Sequence, residues 1–156
     1  MASEDATVRT AGPGEADHIA RLLHDFNTEY DEPTPPVETL AERCRALLDS
    51  GDITVLLAGD RPFGLAMLRF RPSVWTGGPD AYLEELYVAP ARRGRGAGRA
   101  LVEAAIDLAR REGARHFDVV TAEEDTAARG LYESVGMVNR ERGPDGPLML
   151  YYELEI

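Results

Sequence analysis

Between Val88 and Leu101 the chain reads V-A-P-A-R-R-G-R-G-A-G-R-A-L, and Gly94, Gly96 and Gly98 alternate with Arg95 and Ala97. Glycine reaches positive φ and puts no Cβ in a ligand's way, so this run can bring main-chain N–H groups close to an anion. The apolar stripe that begins at Leu101 marks a helix. Its first turn offers unpaired N–H groups and the positive end of the macrodipole, a general device for holding a phosphate or pyrophosphate. Arg92, Arg93, Arg95 and Arg99 crowd the same few residues of a chain whose formal net charge is −11. That crowding points to an anionic partner, although a solvated basic loop would read the same way. The pattern lacks the lysine of GxxxxGK[ST], and Arg99 and Leu101 stand where GxGxxG needs its third glycine.

Two further sets of residues could handle protons. Glu84 and Glu85 are adjacent in YLEEL, and in a regular strand they point to opposite faces, so a bulge is needed to aim both at one pocket. Tyr132 falls on a helical stripe with Ala128, Leu131 and Val135; its hydroxyl, with a reference pKa near ~10, is neutral at pH 7 and able to donate. Core packing alone would explain it equally well. His18, His24 and His116 show no metal spacing, so no metal is expected. Cys44, the single cysteine, lies on an apolar helical stripe and reads as a structural thiol. All 17 basic residues are arginine, which removes lysine Schiff-base chemistry.

These groups must be positioned by alternating helices and strands. Thr7 to Thr10 suits a short strand, and residues 1–6 read as a frayed leader. Ala16, Ile19, Ala20, Leu23, Phe26 and Tyr30 repeat at helical spacing, as do Val37, Leu40, Ala41, Cys44, Leu47 and Leu48 ahead of Ser50 and Gly51. Ile53 to Ala58 and Phe63 to Phe70 read as a strand pair, and Pro72, Gly77, Gly78 and Pro79 mark an irregular connection that carries Trp75. Tyr82 to Val88 is the next strand, ended by Pro90. The helix after the glycines closes at Gly113, Phe117 to Thr121 gives a further strand, and Asp125 or Thr126 caps a last helix that stops at Gly136. Leu148, Leu150, Tyr152, Leu154 and Ile156 share one face of an expected closing strand, whose other face, with Met149 and Tyr151, could be covered by a second subunit in a homodimer.

At 156 residues and 44% hydrophobic composition the expectation is one α/β domain over residues 1–156. No apolar stretch approaches the ~20 residues of a membrane span and no charged n-region runs into an apolar stretch, so a soluble, cytoplasmic protein without membrane association is expected. An acidic chain, with pI near 4.7, is a poor candidate for nucleic-acid binding, so an RNA-binding module built on RRGRG is disfavoured. A cationic substrate is the better fit.

The run from Val88 to Leu101, with RxxGxG from Arg93 to Gly98, resembles the acyl-CoA-binding signature of the GNAT superfamily of N-acetyltransferases. DTAARGLYESVGM is similar to the second motif of that family: Ala128, Leu131, Tyr132 and Gly136 match, while Asp125 stands where asparagine is usual and Met137 where phenylalanine is usual. The resemblance runs from about Thr7 to Ile156 and implies a mixed central sheet of about six to seven strands. That sheet would splay at two central parallel strands and be flanked by about four helices. It also implies acetyl-CoA as cofactor, with coenzyme A as product. Leu86, Tyr87, Val88, Arg93, Gly94, Arg95, Gly96, Ala97, Gly98, Arg99, Asp125 and Ala128 would hold it.

The reaction implied is direct attack of a primary amine in a ternary complex. Tyr132 would be the general acid, and a main-chain N–H near Val88 would polarise the thioester. YLEEL resembles the corresponding strand of the spermidine/spermine acetyltransferases, which would make Glu84, or a water, the base and Glu85 a partner for the cation. Phe26, Tyr30 and Trp75 would join Glu85 around an acceptor that is either a small cationic amine, the favoured class, or a peptide amine. A catalytically silent acyl-CoA-binding module is the alternative.

Overall fold

The computed structural model describes residues 7–156, so the expectation for residues 1–6 lies outside the described residues. The chain divides into two compact units, Met1–Val119 and Val120–Ile156.

In the first unit five strands form one sheet in sequence order: β1 (Val8–Thr10), β2 (Thr54–Ala58), β3 (Gly64–Pro72), β4 (Pro79–Val88) and β5 (His116–Val119). Neighbours pair antiparallel except β4 and β5, which are parallel. Helices α1 (Ala16–Glu29) and α2 (Val37–Ser50) cover one face, where Ile19, Leu22 and Cys44 join Val55, Leu57, Leu65, Met67 and Tyr87 in one buried cluster. The alternating residues point the other way, toward α3 (Ala97–Arg111), which packs on β2, β3 and β4 through Leu101, Val102 and Ala105. Gly64 permits that approach: a Cβ there would stand 3.0 Å from the Tyr87 carbonyl oxygen and 3.3 Å from the Leu101 side chain. The helix limits match the sequence reading, with Gly51 at φ 77° ending α2.

Two irregularities shape β4. Leu68 pairs with Leu83 but Met67 pairs with Glu85, so Glu84 is the extra residue of a β-bulge. The parallel pairing with β5 covers only Asp80 to Leu83, and residues 84–88 run on without a β5 partner.

In the second unit α4 (Thr126–Ser134) begins at Asp125, whose Oδ1 accepts the Ala128 N–H at 3.0 Å. The side chain satisfies a donor that the helix itself cannot. Asp125→Ala should therefore cost about 1 kcal/mol in denaturant unfolding, and Asp125→Asn, an equally good cap, almost nothing.

Two sequence expectations are corrected here. The sheet has five strands among the described residues, short of the six to seven expected. No strand spans Leu148 to Ile156; one bridge joins Arg140 to Leu148, supported by the Met149 N–H on the Asn139 carbonyl at 2.9 Å. Alternation supplies strand propensity, but a strand exists only where a ladder partner meets it. This segment has one such contact, and Leu148, Leu150, Tyr152, Leu154 and Ile156 are all exposed.

Candidate functional site

After β4 the chain makes a 3₁₀ turn over Pro90–Arg92, then passes through Gly94 at φ 76° and Gly96 at φ 88°. Only glycine holds that conformation without strain. Gly96 is the N-cap of α3, and a Cβ built at Gly94 or Gly96 would meet nothing within 4 Å. The space before the loop is open. The first intrahelical bond runs from the Ala100 N–H to the Gly96 carbonyl at 3.0 Å, so the N–H groups of Ala97, Gly98 and Arg99 precede the ladder at the positive end of a 15-residue helix. No acidic residue occupies that first turn. Gly98 itself is helical, so two of the three glycines, not all three, use positive φ.

The arginines are less available than their crowding suggested. Arg93 Nη2 lies 2.9 and 2.8 Å from the two carboxylate oxygens of Glu29, and its Nε donates to the Val88 carbonyl at 2.9 Å. Arg99 Nε pairs with Glu103 at 2.8 Å along the helix, and the Arg92 guanidinium stands 4.8 Å from the Phe63 ring centroid. Besides these charges, the loop offers an anion the main-chain N–H groups of the first turn of α3.

The acid pair lies at the bulge of β4. Glu84 Oε2 accepts a hydrogen bond from Arg69 Nε in an ion pair across the strands. Glu85 sits opposite Met67, in the register of the face that packs on α1 and α2, and burial first, with the neighbouring Glu84 charge second, pushes its pKa up to about 7. The register shift at the bulge falls between these two neighbouring carboxylates and their partners on β3. Of the pair, Glu85 has the affinity of a working base near neutral pH.

Aromatic side chains frame the same face. The Phe26 ring centroid is 5.0 Å from that of Tyr87 and 5.4 Å from that of Tyr30, so Phe26 joins α1 to β4 and packs on the ring of the residue that caps its own helix. Trp75 is not among them: it lies in the loop after β3, 90% exposed, its main-chain N–H on the Ser73 hydroxyl at 3.2 Å. Leu86 and Val88 are partly buried, opposite Ala66 and Gly64. In the second unit Tyr132 is buried, and burial first, then the Asp125 charge, pushes its pKa up to about 12. Its proton is firmly held. A cleft of about 460 Å³ near Leu22, Asp25 and Phe63 contains none of the expected site residues.

Sequence reasoning missed two partners. Arg69 is the first charge in the otherwise apolar run GLAMLRF, a signal that it answers a charge across the strand. Glu29, close in sequence to Asp31 and Glu32, is the last residue of α1 and reaches across 64 positions to Arg93.

Comparison with known proteins defines the class of this fold and loop. Residues 17–137 match the Acetyltransferase (GNAT) family, so the chain belongs to that family and is an N-acetyltransferase by membership. It is 30% identical over 147 residues to the aminoglycoside N(6')-acetyltransferase type 1 of Stenotrophomonas maltophilia, covering 91% of this chain and 92% of that protein. It is 27% identical over 141 residues to the thialysine N-epsilon-acetyltransferase of Sus scrofa, covering 83% and 82%. A crystal structure of a candidate acetyltransferase from Arthrobacter sp. FB24 superposes with a TM-score of 0.88 at 48% identity, covering 96% of each chain. An aminoglycoside N-acetyltransferase solved in complex with CoA shares the fold, with a TM-score of 0.73 at 19% identity over 96% of this chain and 95% of that one.

Proposed function

We propose that this chain, working as one catalytic domain, transfers an acetyl group from acetyl-CoA to the primary amine of a small cationic molecule. The observation that carries the reading is the loop itself: two glycines at positive φ, open space before them, and the N-terminus of a long helix behind. When bound, acetyl-CoA supplies a thioester as acyl donor and a thiolate as leaving group. The amides from Arg93 to Arg99 would hold its diphosphate, with Leu86, Tyr87 and Val88 beside the arm and Asp125 and Ala128 as further contacts. A main-chain N–H near Val88 would polarise the carbonyl.

Glu85 is the base in this reading, in place of Glu84, whose carboxylate is engaged by Arg69. A carboxylate with a pKa of about 7 is largely ionised at pH 8 and can take the proton from the attacking nitrogen once its new bond to the acyl carbon has made that N–H far more acidic than a free ammonium, the thiolate leaving with the electron pair of the broken C–S bond. Glu84 then holds negative charge beside it and helps draw a cation. Phe26, Tyr30 and Tyr87 supply ring faces for the cation's apolar and charged parts.

Tyr132 donates to the leaving sulfur. Full transfer of its proton to a thiolate of reference pKa near ~8.5 would be uphill by about 3.5 units, about 5 kcal/mol, so its contribution is a hydrogen bond to developing negative charge.

The acceptor class rests on the acid pair, the acidic chain and the names of two relatives, which specify thialysine and an aminoglycoside. No helix among the described residues is long and apolar enough to cross a membrane. A thiol-release assay with acetyl-CoA over a panel of polyamines, aminoglycosides, amino acids and peptides tests the reading. Turnover with a small cation is the expected result. Coenzyme A binding without turnover on any amine would favour the silent module.

A further inference from the structure

The geometry points to Glu29 and Arg93 as a positioning pair that clamps the end of α1 to the start of the cofactor loop, Arg93 acting through Glu29 and Val88 and not through contact with phosphate. The assignment rests on the cofactor reading above, and it removes one side chain from the residues expected to touch the diphosphate.

Glu29 closes α1, and the last turn of that helix carries no basic residue. A carboxylate there faces the negative end of the macrodipole, an unfavourable placement that an external cation must offset. Arg93 is that cation, with one terminal nitrogen on both carboxylate oxygens at 2.9 and 2.8 Å. The same guanidinium reaches back through Nε to the carbonyl of Val88 at 2.9 Å and stands 5.7 Å from the Tyr87 ring centroid. One side chain thus fixes the last residue of β4, the turn that leads into Gly94 and Gly96, and the helix end that carries Phe26 and Tyr30. This ion pair joins the loop to the acceptor face. An exposed pair adds little stability on its own, so its use lies in geometry.

The test is calorimetric titration with coenzyme A of the native protein, Arg93→Ala, Glu29→Ala, the double alanine variant and the charge-swapped pair Arg93→Glu with Glu29→Arg, at two salt concentrations. Far-UV circular dichroism and a thermal transition check each variant. A positioning pair predicts that either alanine variant weakens binding about three- to tenfold and that the double variant is no weaker than the singles. It also predicts an unchanged salt dependence and recovery of at least half the lost affinity in the swapped pair. A direct phosphate contact predicts the opposite: Glu29→Ala binds as tightly as native or tighter, Arg93→Ala flattens the salt dependence, and the swapped pair, with a carboxylate at the loop, binds worst. Any of those results overturns the assignment. No heat from coenzyme A in the native protein would instead overturn the cofactor reading itself.

Discussion

Glu85→Gln should lower the rate of acetyl transfer at pH 8 by about 10²- to 10³-fold, the range for loss of a positioned base. It should also erase the acid limb of the pH profile. In the native enzyme the rate should fall about tenfold per unit below pH 7, where Glu85 becomes protonated, and level off above it. Glu84→Gln has a different signature. It removes the charge that helps raise Glu85, so the limb should move to lower pH while the plateau survives. The stability consequence has a definite sign. Glu85 ionises near 4.5 in an unfolded chain and near about 7 in the folded one, so between those values the folded state holds more protons and stability falls as pH rises. Glu85→Gln should therefore be more stable than native at pH 8, by on the order of 1–3 kcal/mol in denaturant unfolding, and match it near pH 4. Rate and melting profiles that are identical in the two proteins would remove Glu85 from the mechanism.

Tyr132→Phe is expected to reduce kcat by about 10²-fold with little change in affinity for coenzyme A or in KM for the amine. The ring keeps its buried place, so the thermal transition should hold. Because the Tyr132 proton is held up to a pKa of about 12, the loss should be uniform from pH 6 to 9. A full rate in the phenylalanine variant would return Tyr132 to a packing role.

Much of this was legible in the sequence, for reasons that differ from place to place. Gly94 and Gly96 announce themselves because positive φ admits few other residues, and the apolar stripes of α1, α2 and α3 are set by a period that the core enforces. Asp125 reads as a cap from local chemistry alone, and the structure shows it capping. What was not legible depends on contacts far apart in the chain. The choice between Glu84 and Glu85 turns on a one-residue bulge and on Arg69, fifteen positions away. The apparent surplus of charge at Arg93 disappears against Glu29, 64 positions away. Trp75, large and aromatic, suggested a pocket wall, yet nothing in its loop pulls it inward and it stands exposed. The terminal alternation from Leu148 to Ile156 promised a strand, but pattern alone cannot supply the neighbour that a strand requires.

The central claim is that the turn from Arg93 to Arg99 is built around a diphosphate. Calorimetric titration of the intact protein with coenzyme A tests it most directly. The expected result is one site per chain with a Kd on the order of 1–100 µM, weakened at least tenfold by Gly96→Val, which forces a β-branched residue to φ 88°. A folded native protein that gives no heat with coenzyme A, or a Gly96→Val variant that binds it as well as native, would contradict the account.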